Sequence, residues 1–186
     1  MDQQPDQPED LWVFAYGSLL WKPGFEFVEQ RRASLNGYRR SFCMWSIHHR
    51  GTIDDPGLVL ALDPDESSSC EGMVFRVEHS LREDVLAYLR ERELVSSAYL
   101  ERFEQVKLSD GTQVEAVAYV MDRSHSQYTG TMSVEERAKI IARSSGGMGP
   151  NDTYLFSTLE QLLKMGVADA EMSEIARLVQ EINGQS

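Results

Sequence analysis

The chain has 186 residues, a length that fits one domain at roughly 100–200 residues per domain. Hydrophobic residues make up 41% and charged residues 26%, which excludes a coiled coil, a collagen-like chain and a wholly disordered one. Lys and Arg number 18 against 30 Asp and Glu, a net charge of −12 that argues against nucleic-acid or anionic-membrane partners, though a local basic pocket stays compatible with it. A chain this long buries about 70% of its unfolded surface, so it can fold without disulfides or a structural metal.

Residues 1–10 are rich in Gln, Pro and Asp, which predicts a disordered leader ahead of a single domain over residues 11–184. The leader lacks the basic and apolar regions of a secretory signal, and no run of about 18 apolar residues follows. The expectation is a cytoplasmic chain with no membrane span. Leu11 to Tyr16 form a short apolar run stopped by Gly17-Ser18, which reads as a buried strand ending in a tight turn. Trp21 to Gly24 read as a loop, residues 33–45 as a strand, and Asp54 to Gly57 as a turn. Leu58 to Leu62 and Gly72 to Val77 read as strands separated by a polar loop, Asp63 to Ser69.

Ser80 with Glu83 three residues on predicts a capped helix to Arg92, with Leu81, Val85, Leu86 and Leu89 on its apolar face. Residues 99–108 and 114–121 predict a hairpin around Asp110-Gly111, with positive φ at both central residues. Ser133 caps a helix to Arg143, and Ser144 to Pro150 read as a loop. Asn151 or Asp152 is placed to cap a helix through Lys164, and Ala170 to Ile182 form a last amphipathic helix. Strands followed by helices give an α+β class, most simply a strand-rich barrel or curled sheet carrying helices.

Chemistry-bearing residues are few. Cys43 and Cys70 lie in apolar stretches and read as buried free thiols; no Cys-x-x-Cys suggests a redox or zinc motif. His48 and His49 are adjacent and point to opposite sides of an extended chain, so no metal is expected there. Ser18 lacks the Gly-x-Ser-x-Gly elbow of a nucleophile. The loop Gly146 to Pro150 is either a connector or an anion contact at the following helix N-terminus. Arg90-Glu91-Arg92-Glu93 has the composition of a solvated helix end. Glu93 differs from its neighbours in falling where the helix gives way to Leu94-Val95, and it is placed to turn inward.

Four stretches together carry a resemblance. Val13-Phe14-Ala15-Tyr16-Gly17-Ser18-Leu19-Leu20-Trp21 resembles the opening motif of the ChaC family of γ-glutamylcyclotransferases. Ser46-Ile47-His48-His49-Arg50-Gly51 resembles its Ser-x-x-His-Arg-Gly, and Tyr88 to Glu93 with Tyr99 downstream its Tyr-Leu-x-x-Arg-Glu stretch. Asn151-Asp152-Thr153-Tyr154-Leu155 resembles its Asn-x-x-Tyr-Leu. The resemblance spans residues 11–182. It implies a cyclotransferase fold, a small mixed β-barrel with packed helices, acting as a single catalytic domain on glutathione to give 5-oxoproline and Cys-Gly. It implies Glu93 as the catalytic glutamate and Val13, Phe14, Ala15, Tyr16, Gly17 and Ser18 as the substrate-binding loop, with no metal and no organic cofactor. Two other readings share these residues: a cyclotransferase for other γ-glutamyl amines or dipeptides, and a noncatalytic cation-transport regulator.

The implied reaction is an internal aminolysis. The α-amino group of a γ-glutamyl unit attacks its own γ-carbonyl, so no activated Ser or Cys is needed, and orientation alone contributes on the order of 7–11 kcal/mol. One carboxylate with a pKa raised by burial can take the proton from the ammonium and return it to the leaving amine. The bend Tyr16-Gly17-Ser18-Leu19 can present consecutive backbone amides to an oxyanion or a carboxylate. Arg50, with Lys22 second, is the candidate cation for the anionic substrate; pairing of Arg50 with an acid is the other reading. Tyr154 either bonds a substrate carboxylate or packs. The sequence carries no mark of oligomeric state.

Overall fold

The computed structural model describes residues 9–185. Of the leader expected over residues 1–10, residues 1–8 lie outside the described residues. Glu9 and Asp10 are tied to the fold: Asp10 accepts from Arg76 Nη1 at 2.6 Å and from the His79 amide at 2.9 Å, and the Glu9 carbonyl lies 3.3 Å from His79 Nδ1.

Five strands close a mixed barrel: β1 (Leu11–Ala15), β2 (Glu29–Ser46), β3 (Gly57–Val77), β4 (Tyr99–Leu108) and β5 (Gln113–Met121), in the order β1, β3, β2, β4, β5. β1 runs antiparallel to the end of β3, from Leu11–Val77 to Ala15–Met73, and parallel to β5 at Trp12–Ala116 and Val13–Val117. That parallel pair closes the barrel and explains why β1 is a near-continuous apolar run, since a strand covered on both faces has no solvent side to mark with polar residues. Val13, Phe14 and Ala15 are fully buried. The α+β mixed barrel with packed helices is the fold the sequence led us to expect.

The polar stretch Asp63 to Ser69 is not a loop. It belongs to β3, and the register shifts between Asn36–Ser69 and Tyr38–Pro64, so the extra residues bulge outward without ending the strand. Pro64, Glu66, Ser67 and Ser69 are exposed, and Asp65 accepts from the Ser67 and Ser68 hydroxyls. Polarity at those four positions marks exposure, not the loss of pairing, while Asp63 is buried and ion-paired with Arg39 and Arg123.

A 3₁₀ turn at His79–Leu81 leads into α1 (Arg82–Glu93), and Ser80 makes no capping bond. The helix starts one residue later than the box requires, with Leu81 at the cap position, and Asp10 takes the His79 amide. Val85, Leu86 and Leu89 of α1 are buried in the core. In the β4–β5 turn Gly111 has positive φ (+90°) and Asp110 does not; the Gly111 amide donates to Leu108 O at 2.9 Å. This is a type I turn followed by a left-handed glycine, not the primed turn that Asp-Gly suggested.

α2 (Val134–Arg143) carries the expected capping box of Ser133 and Glu136. Where a loop was expected, β6 (Ser145–Gly146) and β7 (Gly149–Pro150) form a two-stranded ribbon. α3 (Asn151–Lys164) and α4 (Ala170–Gly184) follow, and Ile141, Leu155, Ile175 and Val179 bury where the three helices meet the barrel. Cys43 and Cys70 are free and buried, and burial pushes both thiols up, Cys43 to about 12. No helix among the described residues is long and apolar enough to cross a membrane.

Asn151 does not cap α3; Pro150 holds the cap position. The fully buried Asn151 amide accepts from Leu58 N and donates to Leu58 O, both at 2.7 Å, acting as a short strand that pairs with the start of β3. Asn151→Ala therefore leaves two buried backbone groups unpaired, and we expect a loss of about 2–5 kcal/mol in urea denaturation. A loss nearer 1 kcal/mol is what a cap alone would give.

Candidate active site

The site lies where three structural ends meet: the end of β1, the end of α1 and the start of α3. β1 stops at Ala15, and the chain turns through Tyr16 and Gly17 into a single 3₁₀ turn, Ser18–Leu20. The amides of Ser18 and Leu19 open that turn and have no acceptor among the described residues, as the first donors of any helical turn lack one. A Cβ at Gly17 would lie 3.2 Å from the Tyr154 hydroxyl, so a side chain there would push that hydroxyl by a few tenths of an ångström.

The turn is held from outside by Arg40 of β2. Its Nε donates to Tyr16 O at 2.7 Å, Nη1 reaches Asp169 Oδ2 at 3.3 Å, and Nη2 donates to Glu71 O. A trans peptide points its N–H opposite to its C=O, so holding the Tyr16 carbonyl toward Arg40 turns the Gly17 amide away from it.

Glu93 is the last residue of α1, and its side chain is only 15% exposed. It borders both a cleft of about 450 Å³ and a recess of about 20 Å³ behind it. The recess has room for one water-sized group and is walled by Gly17, Ser18 and the phenols of Tyr16, Tyr99, Tyr119 and Tyr154. Burial raises the Glu93 pKa above its ordinary value, and the Arg92 charge 3.1 Å away works against that rise. Glu91, the other acid of the run, is exposed on the rim of the cleft.

Three of the four phenols have their protons committed. Tyr16 donates to Tyr119 O at 3.0 Å, Tyr99 to Leu60 O at 2.8 Å and Tyr119 to Glu101 at 3.0 Å. Tyr154 is the exception. Its hydroxyl accepts from Leu60 N at 3.2 Å and has no acceptor of its own among the described residues. Burial raises the pKa of all four, so each stays a neutral phenol.

The motif Ser46 to Gly51 forms the opposite wall of the cleft. Ser46 Oγ accepts the Arg50 amide at 2.9 Å, and the β6–β7 ribbon docks on the backbone, Gly147 N to His48 O and Met148 N to His49 O. Arg50 is 6% exposed; Nη1 donates to Met148 O and Pro150 O, and the guanidinium lies 5.6 Å from the Tyr154 ring centre. No carboxylate pairs with it among the described residues, and burial lowers its pKa. Pairing with an acid, one of the two sequence readings of Arg50, is not what the structure shows. Burial also lowers the His49 pKa, reinforced by the charges of His48, Arg50 and Arg92. With Lys22 on the rim, this wall is cationic in an acidic protein.

The structure thus brings together Tyr16, Gly17, Ser18, Leu19, Glu93 and Tyr154 at the recess, and Arg50 in the adjoining cleft. Val13, Phe14 and Ala15 do not border either cavity; they are barrel core that carries the turn. Sequence reasoning placed Tyr16 in the substrate-binding loop but missed Arg40, Tyr119 and the commitment of the Tyr16 hydroxyl, all of which depend on pairing across the barrel. The Gly146–Pro150 connector proves to be the support for Arg50.

A small mixed barrel, a buried protonatable carboxyl and an amide-presenting turn define an acid/base site suited to acyl transfer within one substrate. The chain belongs to the ChaC-like protein family, whose model matches residues 11–182. It is 35% identical over 179 residues to the glutathione-specific gamma-glutamylcyclotransferase of Escherichia coli, covering 96% of this chain and 76% of that one. It is 34% identical over 182 residues to gamma-glutamylcyclotransferase 2-3 of Arabidopsis thaliana, covering 95% and 92%. The crystal structure of a glutathione-specific γ-glutamyl cyclotransferase from yeast shares the fold, with a TM-score of 0.84 at 23% identity over 92% of this chain and 96% of that one.

The raised Glu93 pKa has a thermodynamic signature. Above the ordinary value of 4.5 the folded chain holds a proton that the unfolded chain has released. Stability therefore falls as pH rises from there through the folded pKa, and the deficit is complete above it. Glu93→Gln removes the ionisable group, so the Tm of the variant should exceed the parent's at pH 8 and converge with it below pH ~4, with about 2–4 °C for each kcal/mol recovered. A pH-independent difference between the two would contradict the buried, raised carboxyl.

Proposed function

We propose that the chain is a glutathione-specific γ-glutamylcyclotransferase that converts glutathione to 5-oxoproline and Cys-Gly. The observation that carries this reading is the largely buried Glu93 beside the Tyr16–Leu19 turn, in a chain 35% identical to the Escherichia coli enzyme of that name.

The γ-glutamyl unit folds so that its α-amino nitrogen faces its own γ-carbonyl. Glu93, as carboxylate, takes the ammonium proton, and the freed amine attacks. The new C–N bond closes the five-membered lactam, and the bond to the cysteinyl nitrogen breaks. Glu93 then returns its proton to that leaving amine. The attacking nitrogen sheds a second proton as the lactam forms, and Glu93 passes that proton on as well, so the amine departs as an ammonium and the count closes. The oxyanion formed at the carbonyl meets the Ser18 and Leu19 amides and the hydroxyl protons of Ser18 and Tyr154. Tyr154 thus both packs and donates. Arg50 holds a substrate carboxylate from the cationic wall. The two buried free thiols fit a reducing cytoplasm.

The first measurement is 5-oxoproline release from millimolar glutathione by the parent, Glu93→Gln and Glu91→Gln. We expect Glu93→Gln to lose about 10²–10⁴ in kcat and Glu91→Gln to stay close to the parent. The reverse pattern would assign the base to Glu91. Release from γ-glutamyl-alanine but not from glutathione would shift the substrate class, and no release from either would leave the noncatalytic reading.

Arg50→Gln should raise KM for glutathione by about 10–100-fold, the worth of one hydrogen bond to a charged group. The comparison substrate is a γ-glutamyl amine with no carboxylate on its leaving group. If its KM rises as much, Arg50 binds the γ-glutamyl carboxylate; if it is unmoved, Arg50 binds the leaving dipeptide. No change with either substrate would remove Arg50 from the binding site.

A further inference from the structure

We propose that Arg92 is a positioning residue that clamps the Ser18 turn to the end of α1, so that the Ser18 hydroxyl proton and the Glu93 carboxyl face one substrate carbonyl. The proposal rests on the cyclotransferase reading for its substrate and on the chain's own geometry for the clamp.

Arg92 connects three segments through one guanidinium. Nη1 donates to Lys22 O at 2.6 Å, to Pro23 O at 3.2 Å and to Tyr88 Oη at 3.1 Å. Nη2 donates to Ser18 Oγ at 3.0 Å, and Nε lies 3.1 Å from Glu93 Oε1. The loop after β1, the preceding turn of α1 and Glu93 are thereby fixed to one rigid plane. A guanidinium has five donors and no acceptor. Ser18 Oγ is therefore the acceptor in its bond to Arg92, and its own proton turns away from the clamp. Ser18 also walls the recess that Glu93 and the Tyr154 hydroxyl border, so that proton is available there. Lysine carries the same charge but has no planar fork with which to span these partners.

The clamp has a second effect through charge. The groups around Glu93 are the neutral phenols Tyr16, Tyr99, Tyr119 and Tyr154, with Arg50 and His49 across the cleft and Glu91 on its rim. Among the described residues Arg92 is the ion in contact with the carboxyl, and its charge opposes the effect of burial.

The test combines Arg92→Lys, Arg92→Gln, Ser18→Ala and the double variant Arg92→Gln/Ser18→Ala. We expect Arg92→Lys to lower kcat on glutathione by about 10–100-fold through misplacement, with KM within about twofold of the parent. The double variant should lose little beyond the worse single one, because Arg92 acts through Ser18. In ¹³C NMR of labelled glutamate, the Glu93 carboxyl should titrate at higher pH in Arg92→Gln and near the parent's position in Arg92→Lys. Multiplicative losses in kcat together with an unmoved Glu93 titration would overturn the clamp. If the parent itself releases no 5-oxoproline, the cyclotransferase reading fails. The titration, with the coupling of Ser18 and Arg92 in Tm, then decides the clamp by itself.

Discussion

Burying most of the Glu93 side chain takes its carboxyl largely out of water, and among the described residues the ion pair with Arg92 at 3.1 Å is what offsets the lost solvation. A carboxylate in that position is disfavoured unless it is paired or protonated. Barrel closure creates this condition. β1, β4 and β5 bring Tyr16, Tyr99 and Tyr119 around the end of α1, and α3 adds Tyr154. Three of these phenols have already given their protons to backbone or to Glu101, so they surround Glu93 without solvating it. Arg92 offsets part of the penalty. The balance leaves a carboxyl whose pKa is raised above its ordinary value by burial, the direction that favours a group able to accept a proton and later return it.

The same region shows how two arginines fix a short turn from opposite sides. Arg40 holds the carbonyl that precedes Gly17, and Arg92 holds the hydroxyl that follows it. Arg40 in turn leans on Asp169, which caps α4 through the Met172 amide at 2.9 Å. The helical layer is thus connected to the turn through one ion pair that borders neither cavity. Backbone amides act as oxyanion donors only when their direction is set before substrate arrives. A turn left to its own torsions would not supply that direction.

Much of this was legible in the sequence, and the exceptions share a cause. The apolar run of β1, the hairpin at Gly111 and the box at Ser133 depend on local spacing, and the structure contains all three. The inward turn of Glu93 was legible from its place at the end of the helix, while its proposed role came from the family resemblance. Asp63 to Ser69 misled because a strand on the outside of a bulge has a loop's composition. Asn151 misled because its cap-like identity serves a backbone in β3, 93 residues away along the chain. Arg40, and the direction of each phenol's proton, could not be read from spacing, since both are set by partners across the barrel. Arg92 looked like one more charge in a solvated run. Its helical position carries no signal that five polar atoms converge on it.

The partners of Ser18 also bear on the kind of chemistry the site supports. A serine becomes a nucleophile when a neighbouring base takes its proton. Here its side-chain neighbour is a guanidinium, which stays protonated and can only donate. Ser18 is therefore oriented but not activated, which on the proposed reading makes it a hydrogen-bond donor to an acyl oxygen and not a nucleophile. A substrate for this pocket must bring its own nucleophile. A γ-glutamyl compound does so in its α-amino group, already tethered at the distance that closes a five-membered ring. On the proposed reading, the protein's remaining tasks are to hold that ring geometry, to carry protons from the attacking to the leaving nitrogen and to stabilise one oxyanion. The recess behind Glu93 contains a carboxyl, two uncommitted hydroxyl protons and the wall of an amide-bearing turn. The absence of an activated serine therefore follows directly from the tethering of nucleophile and electrophile in one molecule.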